Sequence, residues 1–253
     1  MTTPRVRLLY RPGCSSCTRT RELLESWAIE FDPVDVHADP AALDELQDDD
    51  PRLAPVPAVV FGGRVVRGWN PRGCAALLGV DYQPAALLPP SELGSTLERI
   101  LAATERLIAE VPDAHMEYRP APRDRTIRDL VYHVFSLGLA FADGMDMGQV
   151  QPEWLRARAP EELRDGRAIA RYGALVQGRV GGWLEGAAPR EFARVIATDA
   201  GPQSGHDWLE RTTWHAAQHL RQLHALLEAL GVPPREPLSS ADLARLPLPA
   251  SLW

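Results

Sequence analysis

V-R-L-L-Y at residues 6–10 runs directly into R-P-G-C-S-S-C at residues 11–17, and this junction decides the fold of the first third of the chain. The first run is apolar and typical of a β-strand, whereas Pro-Gly ends it and a helix begins at the cysteines. Alone, the C-x-x-C pair can be a redox couple, half of a metal site or two buried thiols. At a helix N-terminus, free N–H groups and a partial positive charge stabilise a thiolate at Cys14. Cys17 lies nearly one turn further on, where a thiol can resolve a mixed disulfide, so the position favours a redox couple.

The residues that follow predict an α/β unit that extends to about residue 80. F-D-P-V-D-V at 31–36 predicts a second strand, and a short helix is expected near 41–46. A-V-V-F-G-G-R-V-V-R at 58–67 predicts a hairpin, because two β-branched runs flank a Gly-Gly turn. P-R-G-C-A-A-L-L-G at 71–79 predicts a closing helix. The predicted order is therefore βαβ, a helix, a hairpin and a helix.

Residues 5–80 resemble a glutaredoxin, a member of the thioredoxin fold, through V-R-L-L-Y, R-P-G-C-S-S-C, A-P-V-P-A-V-V-F and G-G-R-V-V-R-G-W-N. The resemblance implies a thiol–disulfide oxidoreductase in which Cys14 is the nucleophile and Cys17 releases the product. In glutaredoxins the proline of a Val-Pro pair is cis and lies against the cysteines, which maps onto Val56-Pro57. The residues that the resemblance places around a small thiol are Arg11, Val56, Pro57, Gly68 and Trp69.

Composition restricts the compartment and the partners. Three cysteines in 253 residues are too few for a disulfide framework, and Cys74, among Ala and Leu, is expected to be a small buried side chain. A zinc site at Cys14 and Cys17 would need a second pair, which the sequence lacks. A net charge of −7 without a basic cluster argues against nucleic-acid binding. No window approaches the roughly 20 apolar residues of a membrane span, so we expect a cytoplasmic protein.

A proline-rich stretch divides the chain. D-Y-Q-P-A-A-L-L-P-P-S-E at 81–92 has no sustained periodicity, so we place a first domain at 1–82, a linker at 83–90 and a second domain at 91–253. The second domain has helical periodicity, and four helices indicate a bundle, so the predicted fold class is α/β plus all-α. The last twenty or so residues are expected to wrap over the surface. The predicted helices lie at 91–111, at 126–147, within 160–185 and at 207–230.

T-T-W-H-A-A-Q-H at 212–219 places His215 and His219 one helical turn apart. Two imidazoles at this spacing project from one face of a helix and can share a metal ion. His133, in R-D-L-V-Y-H-V-F-S-L, lies on the corresponding flank of its own apolar stripe, so three histidines can converge between two packed helices. Such a site leaves a position for water or a substrate thiol. The alternative is a polar helix boundary that binds no metal.

Residues 91–232 resemble the DinB-like superfamily of four-helix bundles, mainly through these histidines. The superfamily includes mycothiol-, bacillithiol- and glutathione-dependent S-transferases. The resemblance implies a divalent metal, zinc or nickel, held by His133, His215 and His219. It also implies a low-molecular-weight thiol as co-substrate, whose pKa the metal lowers. Gln222, near His219 on the same helix, is a further candidate to line the site.

Both resemblances concern small thiols, and together they predict a thiol–disulfide oxidoreductase fused to a metal-dependent thiol S-transferase. The expected partners are small thiols and disulfides or mixed disulfides. Ser15-Ser16 and Trp69-Asn70 depart from the glutaredoxin pattern, so the thiol stays open among glutathione, mycothiol and bacillithiol. The alternative hypothesis is a redox domain joined to a non-catalytic bundle that binds a metal or forms a homodimer.

Overall fold

The chain folds into a small mixed β-sheet with helices, followed by a bundle of long helices. The computed structural model describes residues 5–46, 53–120, 125–234 and 236–253. This element order confirms the predicted fold class, α/β followed by all-α. Among the described residues, none of the helices combines the length and the apolar character needed to cross a lipid bilayer.

A four-stranded sheet and two helices form the first part of the chain. They are β1 (Val6–Tyr10), α1 (Ser15–Ser26), β2 (Phe31–Asp35), β3 (Ala58–Phe61), β4 (Arg64–Arg67) and α2 (Pro71–Leu78). The strand order is β2-β1-β3-β4, with β1 parallel to β2 and the other pairs antiparallel. The predicted hairpin is β3 and β4. The short helix predicted near 41–46 is a 3₁₀ helix at Pro40–Glu45.

β1 is buried on both faces of the sheet, because successive side chains of a strand point in opposite directions. Leu8 is fully buried on one face with Leu24 of α1 and Val59. Leu9 is fully buried on the other face in the cluster that contains Ala58. An apolar residue at both positions is what such a strand requires. Cys14 and α1 thus follow a strand whose two faces are both held by apolar packing.

Four long helices and two short ones form the second part of the chain. They are α3 (Pro90–Glu110), α4 (Ile127–Met147), α5 (Pro152–Arg156), α6 (Gly166–Gly186), α7 (Gly205–Ala229) and α8 (Ser240–Leu243). All four predicted long helices are present. α3 and α4 each pack mainly against α6 and α7, so these two consecutive helices are diagonal in the bundle. α4 and α7 are neighbours, which brings the three predicted metal ligands to one helix interface.

Glycines allow α6 to lie close to its neighbours. A Cβ atom at Gly173 would lie 2.4 Å from the Phe135 ring of α4. At the start of α6, a Cβ atom at Gly166 would lie 2.1 Å from the carbonyl oxygen of Ile108 in α3. These glycines weaken the helical pattern in the sequence, but the packing of α6 requires them.

Two segments differ from the expectation based on sequence. A hairpin of β5 (Val195–Thr198) and β6 (Gly201–Ser204) lies between α6 and α7, where no strand is predicted. After α7, the chain does more than cover the surface, because Leu243 and Leu246 are buried in the core of the bundle. Apolar side chains of this terminal segment therefore complete the bundle.

Arg19 of α1 joins the sheet to the bundle. Its guanidinium carbon lies 4.0 Å from the ring centre of Trp69 and 4.5 Å from that of Trp214 in α7. The two indoles meet edge to face, with 6.0 Å between ring centroids. A second contact lies at the hairpin turn, where the Ala54 N–H donates to the carbonyl of Asp199 at 2.7 Å. Packed side chains thus hold α1 against α7, and a backbone hydrogen bond joins the loop before β3 to the β5–β6 turn.

Candidate functional site

Cys14 and Cys17 lie at the start of α1 and form a disulfide bond. Cys14 is the N-cap residue, with extended backbone angles, and its sulfur accepts a hydrogen bond from the Cys17 N–H at 3.2 Å. This N–H is one of the donors that the first turn of a helix leaves free, so it can stabilise a thiolate after reduction. The Cα atoms are 5.2 Å apart, a normal separation for a disulfide, and α1 can therefore hold either redox state.

The two sulfurs differ in exposure. Cys17 is 3% exposed and packs with Leu9 and Val56 in the core of the sheet. Cys14 is partly exposed and lines a cavity. A disulfide substrate that enters the cavity reaches Cys14 first. The difference is the one that a nucleophile and a resolving thiol require.

The loop before β3 covers one side of the cysteines. The Val56–Pro57 peptide bond is cis, as the glutaredoxin resemblance implies. The Pro57 carbonyl accepts a hydrogen bond from the Gly68 N–H at 2.8 Å, so two of the predicted thiol contacts are neighbours. Val56, Pro57, Gly68 and Arg11 all line the cavity that contains Cys14.

The three predicted metal ligands lie together between α4 and α7. The His133 ring centroid is 5.5 Å from that of His215 and 5.0 Å from that of His219, and the last two are 4.7 Å apart. The ligand nitrogens, one from each ring, lie within 4.8 Å of one another. Small side-chain rotations can therefore place three nitrogens on one ion at about 2.0–2.1 Å, as zinc requires. We call these residues the histidine triad.

A chain of hydrogen bonds fixes the tautomer of His219. The Gln222 amide donates from Nε2 to the carbonyl of Leu252 at 2.7 Å, which leaves its Oε1 to accept from His219 Nδ1 at 2.8 Å. A proton on Nδ1 leaves the lone pair of the ring on Nε2. Metal-binding histidines are commonly oriented by such a partner. The donor set of the triad and the orientation of His219 therefore fit a divalent metal ion.

One cavity of about 410 Å³ connects the two sites, and we call it the shared cavity. Its volume lies within the range of small-molecule sites, roughly 300–1,000 Å³. Residues 11–16, between β1 and the start of α1, line it on the side of the sheet, and the histidine triad lines it on the side of the bundle. The lining residues used below are Arg11, Cys14, Ala54, Pro57, Gly68, Arg125, His133, Arg156, Arg158, Asp199, Arg211, His215 and His219.

The shared cavity is positively charged, although the chain carries a net charge of −7. Five arginines line it, and Asp199 is the only carboxylate among the lining residues that the structure describes. Asp199 forms an ion pair with Arg211 at 2.8 Å. Burial, together with the charge of Arg156, lowers the pKa of the Arg11 guanidinium. Two cationic groups from different parts of the chain thus face the same space.

Trp69 and Cys74 lie away from the shared cavity. Trp69, expected beside a thiol, is 7% exposed and packs against Arg19 and Trp214 instead. Cys74 is 1% exposed within the core of the sheet, as its apolar surroundings predict. Burial raises the pKa of the Cys74 thiol to about 12.

Four arginines of the shared cavity were not predicted from the sequence. Arg156 ends α5 and Arg158 follows it, Arg125 precedes α4, and Arg211 lies on α7. These positions are brought together only by the packing of the bundle. The single local signal is R-A-R at 156–158, which alone is too common to indicate a binding site.

The comparison with protein-family models gives two matches. Residues 96–223, just over half of the chain, match the DinB superfamily, and residues 5–66 match glutaredoxin. Both resemblances inferred from the sequence are thereby confirmed. None of the curated proteins compared matches the chain.

Two solved structures from Bacillus subtilis are similar to the chain. A DinB-like protein shares 17% sequence identity at a TM-score of 0.45, covering 57% of this chain and 99% of that one. YfiT, described as a probable metal-dependent hydrolase with an unusual four-helix bundle topology, shares 16% identity at a TM-score of 0.45. That alignment covers 60% of this chain and 95% of YfiT.

Proposed function

Because the chain belongs to the DinB superfamily and carries a glutaredoxin domain in front of the bundle, we propose that it is a thiol–disulfide oxidoreductase fused to a metal-dependent transferase of low-molecular-weight thiols. One observation carries the redox assignment. Cys14 caps α1 with its sulfur on the Cys17 N–H at the edge of a cavity, while Cys17 is buried behind it and bonded to it.

The redox reaction consists of two exchange steps. The Cys14 thiolate attacks one sulfur of a small disulfide, a bond forms to Cys14, the substrate S–S bond breaks and the first thiolate leaves. Cys17 then attacks the Cys14 sulfur, closes the disulfide and releases the second thiolate. The substrate gains two electrons and the cysteine pair loses two. Two equivalents of a small thiol, or a dithiol reductase, return the pair to the reduced state.

The histidine triad carries the transferase part of the proposal. His133, His215 and His219 would hold a divalent metal ion, which supplies a lowered pKa for a coordinated thiol. Gln222 keeps the Nε2 lone pair of His219 available, because its Oε1 accepts a hydrogen bond from the Nδ1–H group. The volume of the shared cavity leaves space beside the triad for a thiol and a small electrophile.

Reduction of a glutathione or mycothiol mixed disulfide tests the redox assignment. The Cys14→Ser variant is expected to lose the activity. Cys17→Ser should instead accumulate a Cys14 adduct, visible by mass spectrometry as the added mass of one thiol. Cys74→Ser is the matched control and should retain the full rate, because Cys74 lies in the core. Retained reduction by Cys14→Ser would overturn the assignment.

Metal content and thiol transfer to chlorodinitrobenzene test the role of the bundle. The proposal expects bound metal and a transfer rate that both fall in His219→Ala. His224→Ala is the control on the same helix, since His224 lies outside the triad. Bound metal without transfer, unchanged in His219→Ala, would instead support a non-catalytic metal-binding module.

A further inference from the structure

The bundle covers the cysteine site of the redox domain. The β5–β6 turn lies on the loop before Pro57, where the Asp199 carbonyl accepts from the Ala54 N–H. Its next residue, Ala200, is so close to Gly68 that a Cβ atom there would lie 2.6 Å from the Ala200 Cβ. The backbone beside the cysteines is thus already occupied by a segment of the same chain. A polypeptide substrate cannot form a hydrogen bond with the Ala54 N–H in this loop unless the sheet domain and the bundle separate.

The cover leaves a small-molecule space rather than a closed surface. Cys14 still faces the shared cavity of about 410 Å³, which the histidine triad also lines. A disulfide of a small thiol fits this volume, whereas a folded protein disulfide does not. Because one space contains both sites, a thiol released at Cys14 enters the cavity that the triad lines.

The charge of the shared cavity indicates what kind of small molecule it binds. Of the five cavity arginines, Arg211 is 2.8 Å from Asp199 and Arg158 is 3.4 Å from Asp129. Arg11 and Arg156 repel each other, which is one cause of the lowered pKa of Arg11. An excess of guanidinium groups attracts anions, and each guanidinium can bind a carboxylate through two parallel hydrogen bonds.

We propose that the cysteine pair and the histidine triad form one composite site, whose substrate is a carboxylate-bearing disulfide of a low-molecular-weight thiol. This inference rests on the proposed redox function. Arg11 and Arg156 orient the substrate with its S–S bond at Cys14. Exchange with Cys14 and then Cys17 reduces the disulfide by two electrons, oxidises the cysteine pair and releases both thiolates inside the shared cavity. Disulfides of folded proteins are excluded.

Three small disulfides of similar size test the charge preference in a single turnover. Dithiodipropionate carries two carboxylates, hydroxyethyl disulfide is neutral and cystamine carries two ammonium groups. The reduced protein is mixed with each compound, and the loss of free Cys14 and Cys17 thiols is followed by alkylation and mass spectrometry. We expect the dianion to react at least tenfold faster than the dication, with the ratio falling as salt is added. Insulin should not be reduced.

Arginine variants locate the preference in the shared cavity. Arg156→Gln should lower several-fold the ratio of the rate with dithiodipropionate to the rate with hydroxyethyl disulfide. Arg190→Gln is the matched control, because this arginine lies outside the shared cavity with a side chain that is 86% exposed. Equal rates for the three compounds, or rapid reduction of insulin, would overturn the inference while the redox function stands. No reaction with any disulfide would remove the redox function itself.

A footprint of the histidines tests whether the two sites share one space. The chelator-treated Cys17→Ser variant is compared with and without a glutathionyl adduct on Cys14, and both forms are treated with diethyl pyrocarbonate. The adduct should slow the modification of His215 at least threefold, because both occupy the shared cavity. His224, partly exposed on the same helix but outside the cavity, is the internal control and should react equally in both forms. Equal modification of His215 would overturn the composite site.

Discussion

The cysteine pair lies within one turn at the start of a single helix, whereas the histidine triad is assembled from two helices. Cys14 and Cys17 are three residues apart, and the N-terminus of α1 alone brings them together. The triad exists only where α4 and α7 pack side by side, since His133 and the pair on α7 come from different helices. The position of the proposed nucleophile is therefore set by local structure, whereas the proposed metal site depends on the tertiary fold.

The shared cavity separates two properties of Cys14, its reactivity and its accessibility. In the proposed reaction, the reactivity of Cys14 depends on α1, whereas the substrates that reach Cys14 are selected by the bundle, through the β5–β6 turn and the cavity arginines. Local chemistry and tertiary selectivity are thus separable. Each of the following changes should affect one of them and spare the other.

The largest contrast is expected between two cysteines of the same domain. Cys14 lies at a helix N-terminus, whereas burial raises the pKa of the Cys74 thiol to about 12. Near pH 8, a pKa of 12 leaves about a thousandfold less thiolate than an ordinary cysteine has. Iodoacetamide should therefore alkylate Cys14 at least about a thousandfold faster than Cys74 in the reduced native protein. Peptide mass spectrometry measures both rates in one sample, with the unfolded protein as the control in which they converge. Comparable native rates would contradict a locally activated nucleophile.

Removal of one triad histidine should weaken metal binding by the bundle and leave the reaction of the cysteine pair unchanged. In His219→Ala, metal affinity is expected to fall by roughly a hundredfold or more, because one of three protein ligands is lost. Competition with a chromogenic chelator measures the affinity. His224→Ala, on the same helix but outside the triad, is the control and should bind metal normally. The single-turnover rate with hydroxyethyl disulfide should be unchanged in both variants. A metal affinity that survives in His219→Ala would place the metal elsewhere.

The cysteine motif and the four long helices could be predicted from sequence because their signals are local. β1 is a short apolar run, and α3, α4 and α7 repeat apolar residues at helical spacing. The triad could also be predicted, because His133 lies on the corresponding flank of the apolar stripe of its own helix and the DinB-like resemblance joins the same three residues. The hairpin β5–β6 has no such signal: it is two short strands that contain a glycine and a proline and lack clear alternation.

The contacts between the two parts could not be predicted for a different physical reason. Trp69 follows Gly68 in a stretch that resembles the thiol-binding segment of glutaredoxins, so its position in the sequence predicts a contact with the thiol. In the structure Trp69 is covered by Arg19 and Trp214, residues whose spatial relation depends on domain packing. The carbonyl of Leu252, which orients Gln222, is likewise a backbone group that no side-chain pattern reveals.

The partner of His219 should matter less than the ligand itself. Gln222→Leu removes the acceptor that holds His219 Nδ1, so metal affinity should fall by about 10- to 100-fold, as is typical for such partners. Gln218→Leu is the matched control, because Gln218 also donates to the Leu252 carbonyl but makes no contact that orients His219. Chelator competition on both variants separates orientation of the ligand from attachment of the terminal segment. An equal loss in both would assign the effect to that segment.

Weakening the contact between the sheet domain and the bundle should lower the stability only slightly. It tests whether the reactivity of Cys14 is independent of substrate selection by the bundle. Arg19→Met keeps an apolar stem but removes the cation between Trp69 and Trp214, so the free energy of unfolding should fall by about 1–2 kcal/mol. Urea unfolding measures this loss. Arg21→Met on the same helix is the control, since Arg21 lies 4.8 Å from the Tyr10 ring within the sheet domain. If the bundle restricts access to a locally activated Cys14, Arg19→Met should gain insulin reduction while its rate with hydroxyethyl disulfide stays the same. Loss of the hydroxyethyl disulfide rate would instead show that the chemistry of Cys14 depends on the bundle, and the distinction between local reactivity and tertiary selectivity would not hold.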